Sequence, residues 1–298
     1  MNKPILFVGT ATIDYIALVE KIPKSDERIK ALNLIKCGGG PAANAATAAK
    51  ALGASCALIS VVGDDPEGEE IINELEELGI NTSGIQRFTQ GKSPRSLIHV
   101  EKGNGNRTIT HYGGVIQNYH IDQFPVELLK EASLVHADGN HVSLTLHVFK
   151  LAKELAIPTS LDGGNIKEED LELLLPFTDV FITDKKSLPP SYRNITDYLD
   201  VCKELAKKGP HTVGITLGSD GAVVFDSSNF IKTPNYTVKV VDTTGAGDNF
   251  HGAYAFGIWY GLNARQCLNL ANIFAAKSCE ALGGRGNLVN FEAIKDFI

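Results

Sequence analysis

Lys239-Val240-Val241-Asp242-Thr243-Thr244-Gly245-Ala246-Gly247-Asp248-Asn249-Phe250-His251-Gly252 is the stretch on which the reading of this chain turns. It reads as a strand, then a loop almost without side chains, then a helix that runs through Trp259. A helix N-terminus presents N–H groups that have no intrahelical acceptor, and the macrodipole favours an anion there. Gly245, Ala246 and Gly247 would let a ligand approach those N–H groups closely. A plain glycine turn with Asp248 as a helix cap is the simpler alternative. Asp248 tips the balance, because a carboxylate beside an anion site is costly unless it accepts the proton of an attacking hydroxyl. Phosphoryl transfer needs donors for the transferring oxygens together with such a base. Asp248 is thus the candidate base, and Gly245, Ala246 and Gly247 form the candidate anion hole. No Gly-Lys-Ser/Thr follows the glycines, so the loop is not a Walker A motif.

Working outward, strand-length apolar runs alternate with helix-length amphipathic stretches. Residues 4–8, 57–62, 134–137, 159–161, 180–182, 212–216 and 222–225 read as strands. Helical patterns cover 42–52, 67–78, 146–155 and 195–207. The alternation predicts an α/β fold with a mainly parallel central sheet covered by helices on both faces. Segments 15–34 and 96–112 break the rhythm with strand-like alternation and no helix. The second carries a hairpin turn at Lys102-Gly103-Asn104-Gly105-Asn106. A small β-sheet lid, formed by about 15–36 and 94–114, is expected over one edge of a single domain spanning 1–298.

Composition is that of a soluble globular chain, with 43% hydrophobic and 21% charged residues among 298. A formal net charge of -7 argues against a nucleic-acid partner, which requires a positive field. The five cysteines are scattered and never spaced Cys-x-x-Cys, which fits a reducing compartment rather than a disulfide framework. No stretch approaches the roughly 20 apolar residues of a membrane span, and Asp14 interrupts any signal-like apolar run. The expected location is cytoplasmic, so the sequons beginning at Asn81, Asn106, Asn194 and Asn235 read as chance.

A second glycine run, Cys37-Gly38-Gly39-Gly40-Pro41-Ala42-Ala43-Asn44, precedes the alanine-rich helix. It is either a flexible turn with Pro41 at the first helical position or a place where a polar ligand meets the backbone. Together the two runs carry a resemblance. Residues 242–248 resemble the C-terminal signature of the ribokinase/PfkB carbohydrate kinases, and the first glycine run is similar to the N-terminal signature of the same family. The resemblance covers the whole chain and implies a ribokinase-like fold. It also implies ATP and Mg²⁺ as cofactors, Asp248 as base, and a β lid often used for dimerisation, hence a homodimer through the lid. Sugar hydroxyls would be held by Asp14, Gly39, Gly40 and Asn44.

Further residues follow from the resemblance. Thr216, Gly218 and Gly221 would border the ATP phosphates and ribose, and Asn272 with Ala276 would meet adenine; a tight turn and simple helix packing are the alternatives. The family's Asn-x-x-Glu motif, which organises Mg²⁺, falls at Thr183-Asp184-Lys185-Lys186. Only Asp184 is acidic there, so the metal ligands stay open. This departure, Arg107-Thr108-Ile109-Thr110-His111-Tyr112 and His136-Ala137-Asp138-Gly139-Asn140 resemble the ketohexokinase branch, with Arg107 and Asn140 on the sugar side. Gly283-Gly284-Arg285 resembles the sulfofructose kinase branch; otherwise Arg28 and Arg285 read as surface arginines. His136, His141 and His147 lack the carboxylates of a metal site. A K⁺-like monovalent cation near Asp242 and Thr244 is also implied by resemblance. The expected activity is phosphorylation of a hydroxymethyl group of a sugar, a ketohexose such as fructose or a derivative. Nucleoside kinase, sulfofructose kinase and an inactive sugar- or nucleotide-binding regulator are the alternatives.

Overall fold

Strands that are buried on both faces must be apolar throughout, and β1 (Ile5–Val8) shows how the sequence meets that demand. Ile5 and Phe7 pack into one hydrophobic core, while Leu6 and Val8 pack into the other. The computed structural model describes residues 3–192, 195 and 197–298. After β1 come β2 (Thr12–Val19), β3 (Asn33–Gly39), α1 (Pro41–Leu52), β4 (Cys56–Gly63), α2 (Pro66–Glu77), β5 (Asn81–Phe88), β6 (Arg95–Glu101) and β7 (Arg107–Tyr112). The middle of the chain supplies α3 (Val126–Lys130), β8 (Leu134–Ala137), α4 (Val142–Glu154), β9 (Thr159–Asp162), α5 (Glu168–Leu174), β10 (Val180–Asp184) and α6 (Tyr198–Ala206). It ends with β11 (Thr212–Thr216), β12 (Ala222–Asp226), β13 (Asn229–Thr233), α7 (Ala246–Tyr260), α8 (Ala264–Ser278) and α9 (Phe291–Ile294).

Nine strands form the central sheet in the order β13-β12-β11-β10-β9-β8-β1-β4-β5, parallel except at β12 and β13. One face is covered by α1, α2, α7 and α8, the other by α4, α5 and α6. The lid is a separate four-stranded sheet, β3-β2-β6-β7, with its own small core of Ile16, Ile98 and Val100. The expected hairpin joins β6 to β7, with Val100 opposite Arg107. The opposite lid face leaves Leu34 70% exposed and Leu97 55%.

The structure departs from the sequence reading in detail. Lid strands reach to Thr12 and Gly39, since β2 follows β1 directly and β3 feeds α1. α4 begins at Val142, four residues ahead of the expected start, because His141 accepts a hydrogen bond from the Leu144 N–H and caps it. The helix expected over 195–207 forms from Tyr198, with Asp197 as its cap. Asn194 and Thr196, which carry one sequon and the start of that expected helix, lie outside the described residues. β5, β13, α3, α5 and α9 were not expected, because each is short or rich in polar residues.

Candidate active site

The site is assembled by close approach of two helices. A Cβ on Gly252 would lie 2.2 Å from the carbonyl oxygen of Ala45, so α7 and α1 touch backbone to backbone. Small residues on both helices permit that contact, and it brings the two glycine runs together. Asn44, on the first turn of α1, donates through Nδ2 to Asp248 Oδ2 at 2.8 Å. Gly245 is the N-cap of α7, with φ of 73° and no side-chain cap. The Ala246 N–H points to the Thr243 carbonyl at 3.3 Å, and among the described residues the Gly247 and Asp248 N–H groups have no protein acceptor. Two free donors at a helix N-terminus beside a carboxylate are what the loop sequence anticipates.

Electrostatics hold the Asp248 carboxyl near neutrality. Burial pushes its carboxyl up to about 6, assisted by Asp162 and opposed by the Asn44 hydrogen bond, His251 and Arg107. Its surface is half-buried, yet the surrounding protein removes enough hydration for desolvation to dominate. Behind it, His251 Nε2 lies 3.2 Å from Asp162 Oδ1. Burial works against charge on His251, but Asp162, Asp248 and Asp184 outweigh it and raise the imidazole above its ordinary value. Asp162 is held low by His251 despite its own burial. His136, buried against His251, is driven down to about 3 and so stays neutral. Neither His251 nor Asp162 stood out in the sequence; His251, three residues after Asp248, was the available signal.

On the lid side, Thr12 Oγ1 donates to Asp14 Oδ1 at 2.8 Å, and a Cβ on Gly39 would sit 2.1 Å from Asp14 Oδ2. Burial raises the Asp14 carboxyl, opposed by Thr12, Ser96 and Arg285. Gly40 adopts φ of 91° as it enters α1. Asn140 is exposed and donates its N–H to Asp138 Oδ1 at 3.0 Å; Asp138 Oδ2 accepts from the Thr10 N–H at 2.7 Å. Arg107 reaches across the cleft, donating from Nη1 to Thr243 Oγ1 at 2.6 Å, while Thr243 donates to the Gly105 carbonyl at 2.9 Å. The lid tip therefore rests on the glycine loop. Arg285, read from sequence as a surface arginine, is instead 7% exposed: the turn after α8 folds it inward against Glu74, Asn44 and Gly39.

The remaining candidates lie along the carboxyl ends of the parallel strands, where ligands of open α/β sheets bind. Asp184 and Thr216 are register partners at the ends of β10 and β11, and the Lys185 N–H donates to the Thr216 carbonyl. Gly218 is exposed with open space around it, whereas Gly221 packs against Thr233 and Asn235. Asn272 donates to Thr233 Oγ1 at 2.5 Å, and Ala276 is buried on the same helix. Asp184 accepts from the Lys186 and Ser187 N–H groups and from the Ser187 hydroxyl, so its carboxylate shapes its own turn. Among the described residues no group of three His, Cys, Asp or Glu could hold a metal. Asp242 Oδ1 accepts from the Thr244 N–H and hydroxyl, and Oδ2 from the Gly283 N–H, which fixes the loop's entry.

A doubly covered α/β sheet, a β lid closed over its carboxyl edge and a carboxylate beside free helix-terminal donors define a kinase acting on an alcohol. The chain belongs to the pfkB family of carbohydrate kinases, whose model matches residues 2–289. It is 27% identical to a ribokinase of Lactococcus lactis subsp. lactis, covering 97% of this chain and 94% of the relative. A nucleoside kinase of Methanothermobacter thermautotrophicus is 24% identical over 99% of this chain and 96% of its own. Mouse ketohexokinase is 25% identical over 96% and 99%. In fold, the chain matches an Arabidopsis thaliana ribokinase complexed with ribose and ATP, with a TM-score of 0.83, 22% identity and coverage of 100% and 99%. The protein is a phosphotransferase, and no helix among its described residues is long and apolar enough to cross a membrane.

Proposed function

We propose that residues 1–298 act as one kinase domain that phosphorylates a hydroxymethyl group of a ketohexose such as fructose, or of a derivative, with Asp248 as general base. The observation that carries this reading is the Asp248 carboxyl, poised near neutral pH beside the free N–H groups of Gly247 and Asp248. MgATP supplies the γ-phosphoryl group. Asp248 takes the hydroxyl proton as the new P–O bond forms, and the N–H groups of residues 245–248 donate to the transferring oxygens. Arg107, whose charge already reaches Asp248, adds positive potential on the lid side. Asp14, Gly39, Gly40 and Asn140 face the sugar. Asp184, Thr216, Gly218, Gly221, Asn272 and Ala276 border the nucleotide. Among the described residues those near 183–186 build no metal cage, and Mg²⁺ would be held through water and phosphate oxygens, with Asp184 beside it.

The exposed apolar lid face at Leu34 and Leu97 supports pairing of two copies through the lid in the cytoplasm. A nucleoside acceptor is the second reading, favoured by the nucleoside kinase relative. Coupled ADP release with MgATP, measured against fructose, ribose, tagatose, sulfofructose, phosphosugars and nucleosides, tests the proposal. Turnover with a ketohexose, absent in Asp248→Asn, is expected. Preference for a nucleoside would move the substrate to the second reading. ATP binding with silence across the panel would overturn the ketohexose reading and point to an untested sugar or an inactive regulator.

A further inference from the structure

Arg285 belongs to no role assigned above, yet its side chain is almost buried and each of its three guanidinium nitrogens donates a hydrogen bond. Nε donates to Asn44 Oδ1 at 3.0 Å, Nη2 to the Gly39 carbonyl at 2.9 Å, and Nη1 to Glu74 Oε1 at 2.9 Å. The opposite end of the same Asn44 amide donates to Asp248. A primary amide has nearly the same shape when turned end for end, so packing alone does not decide which end meets the carboxylate. An ionised Asp248, which only accepts, selects Nδ2, and the guanidinium, which carries only donors and faces Oδ1, holds that choice even when Asp248 is protonated. Glycines make the room: a Cβ on Gly38 would stand 2.0 Å from Nη1, and one on Gly284 would stand 2.8 Å from Asn44 Nδ2.

We propose that Arg285 is a positioning residue for the transfer step: it locks the Asn44 amide in the orientation that donates to Asp248, and ties Gly39 of the sugar-side loop to the same fork. The proposal rests on the reading of Asp248 as base. A lysine, with a single point charge, would not span the three acceptors in this planar arrangement. Once Arg285 is gone, the amide is free to turn and accept through Oδ1 from the protonated Asp248 carboxyl. That bond favours the neutral acid, and the positive charge of Arg285 is lost as well, so the pKa rises further. The other charged groups facing Asp248 are Asp162 from β9, His251 from its own helix and Arg107 from the lid. Those facing Arg285 are Glu74 from α2 and Asp14 from β2.

The test is a ¹³C carboxyl titration of Asp248 in the whole free protein, assigned by the signal missing in Asp248→Asn, alongside the pH profile of kcat. Variants are Arg285→Lys, Arg285→Met and the double variant Glu74→Gln/Arg285→Met, which leaves no unpaired Glu74 to compromise folding. In both Met variants the titration and the acid limb of kcat should move up by about half to one pH unit. At neutral pH kcat should fall about tenfold, more than KM changes, with Arg285→Lys between them and wild type. A purely structural role would lower Tm without moving either midpoint. An unmoved titration in a folded Met variant overturns the proposal. Should no acceptor be turned over at all, the ketohexose reading falls through the ADP assay, while the carboxyl titration still decides the role of Arg285.

Discussion

The two glycine runs look alike in sequence and do opposite things in the fold. At 38–40 the missing side chains make room for the protein itself: Arg285 at Gly38, Asp14 at Gly39, and the Thr10 carbonyl 2.5 Å from a Cβ on Gly40. At Gly247 a Cβ would meet nothing within 4 Å. Gly245 is intermediate, its Cβ position lying 2.7 Å from Gly284 Cα. On its Cβ side the first run is a packed joint that holds buried polar groups in register, which leaves only its backbone for the sugar proposed above. The second keeps backbone donors open to whatever arrives from outside. Glycine content alone therefore does not mark a ligand site; what the absent side chain would touch does.

The sharpest break with that contrast is at the residue closing the second run. Asp248→Asn should lose about 10²- to 10⁴-fold in kcat while folding normally, and near wild-type turnover would remove it as base. Next comes the packed joint. Gly40→Ala combines a positive φ with a backbone clash and should cost about 3 kcal/mol, read as a fall in Cm in urea. An unchanged Cm would show that the joint yields more easily than its contacts imply. Gly247→Val should leave stability within about 0.5 kcal/mol yet lower kcat/KM about tenfold, because only an incoming ligand meets the new side chain. Normal kinetics there would count against close backbone approach.

Two smaller effects concern charge. With the Asp248 carboxyl at about 6, kcat should fall as pH drops through that value, since the base is then protonated. A flat profile from pH 5 to 8 would contradict it. The sign for stability is the reverse of the usual carboxylate. A folded pKa raised above the unfolded value contributes stability at low pH that is lost as pH rises through the folded pKa. Asp248→Asn should thus gain about 1 kcal/mol over wild type at pH 8 and nothing at pH 4, after allowing for its partial exposure. Equal stabilities at pH 8 would mean that solvent reaches the carboxyl freely.

Much of this was legible beforehand because it depends on local pattern. Continuous apolar runs announced the buried strands, and the Gly-Asn turn announced the lid hairpin. β5 escaped notice because it is an edge strand whose Asn81, Ser83, Gln86 and Arg87 show no apolar alternation. Asp248 and Asn44 could be singled out from their neighbours in sequence, but their hydrogen bond spans 204 positions and exists only because α1 and α7 touch. Arg285 was misread for a related reason. Nothing local distinguishes an exposed arginine from one whose partners, Glu74 and Asn44, arrive from distant elements. The pairing of His251 with Asp162 likewise needs the sheet to bring the end of β9 beneath α7.

The contact between Arg107 and Thr243 has a consequence for timing. A hydrogen bond at the protein surface contributes about 1 kcal/mol, which multiplies the closed population only about fivefold. Such a catch is strong enough to find its place again after each opening and too weak to imprison what has been made beneath it. If the lid tip governs exit, turnover should answer to viscosity and to Thr243→Val, whose looser catch would speed departure while letting water in sooner.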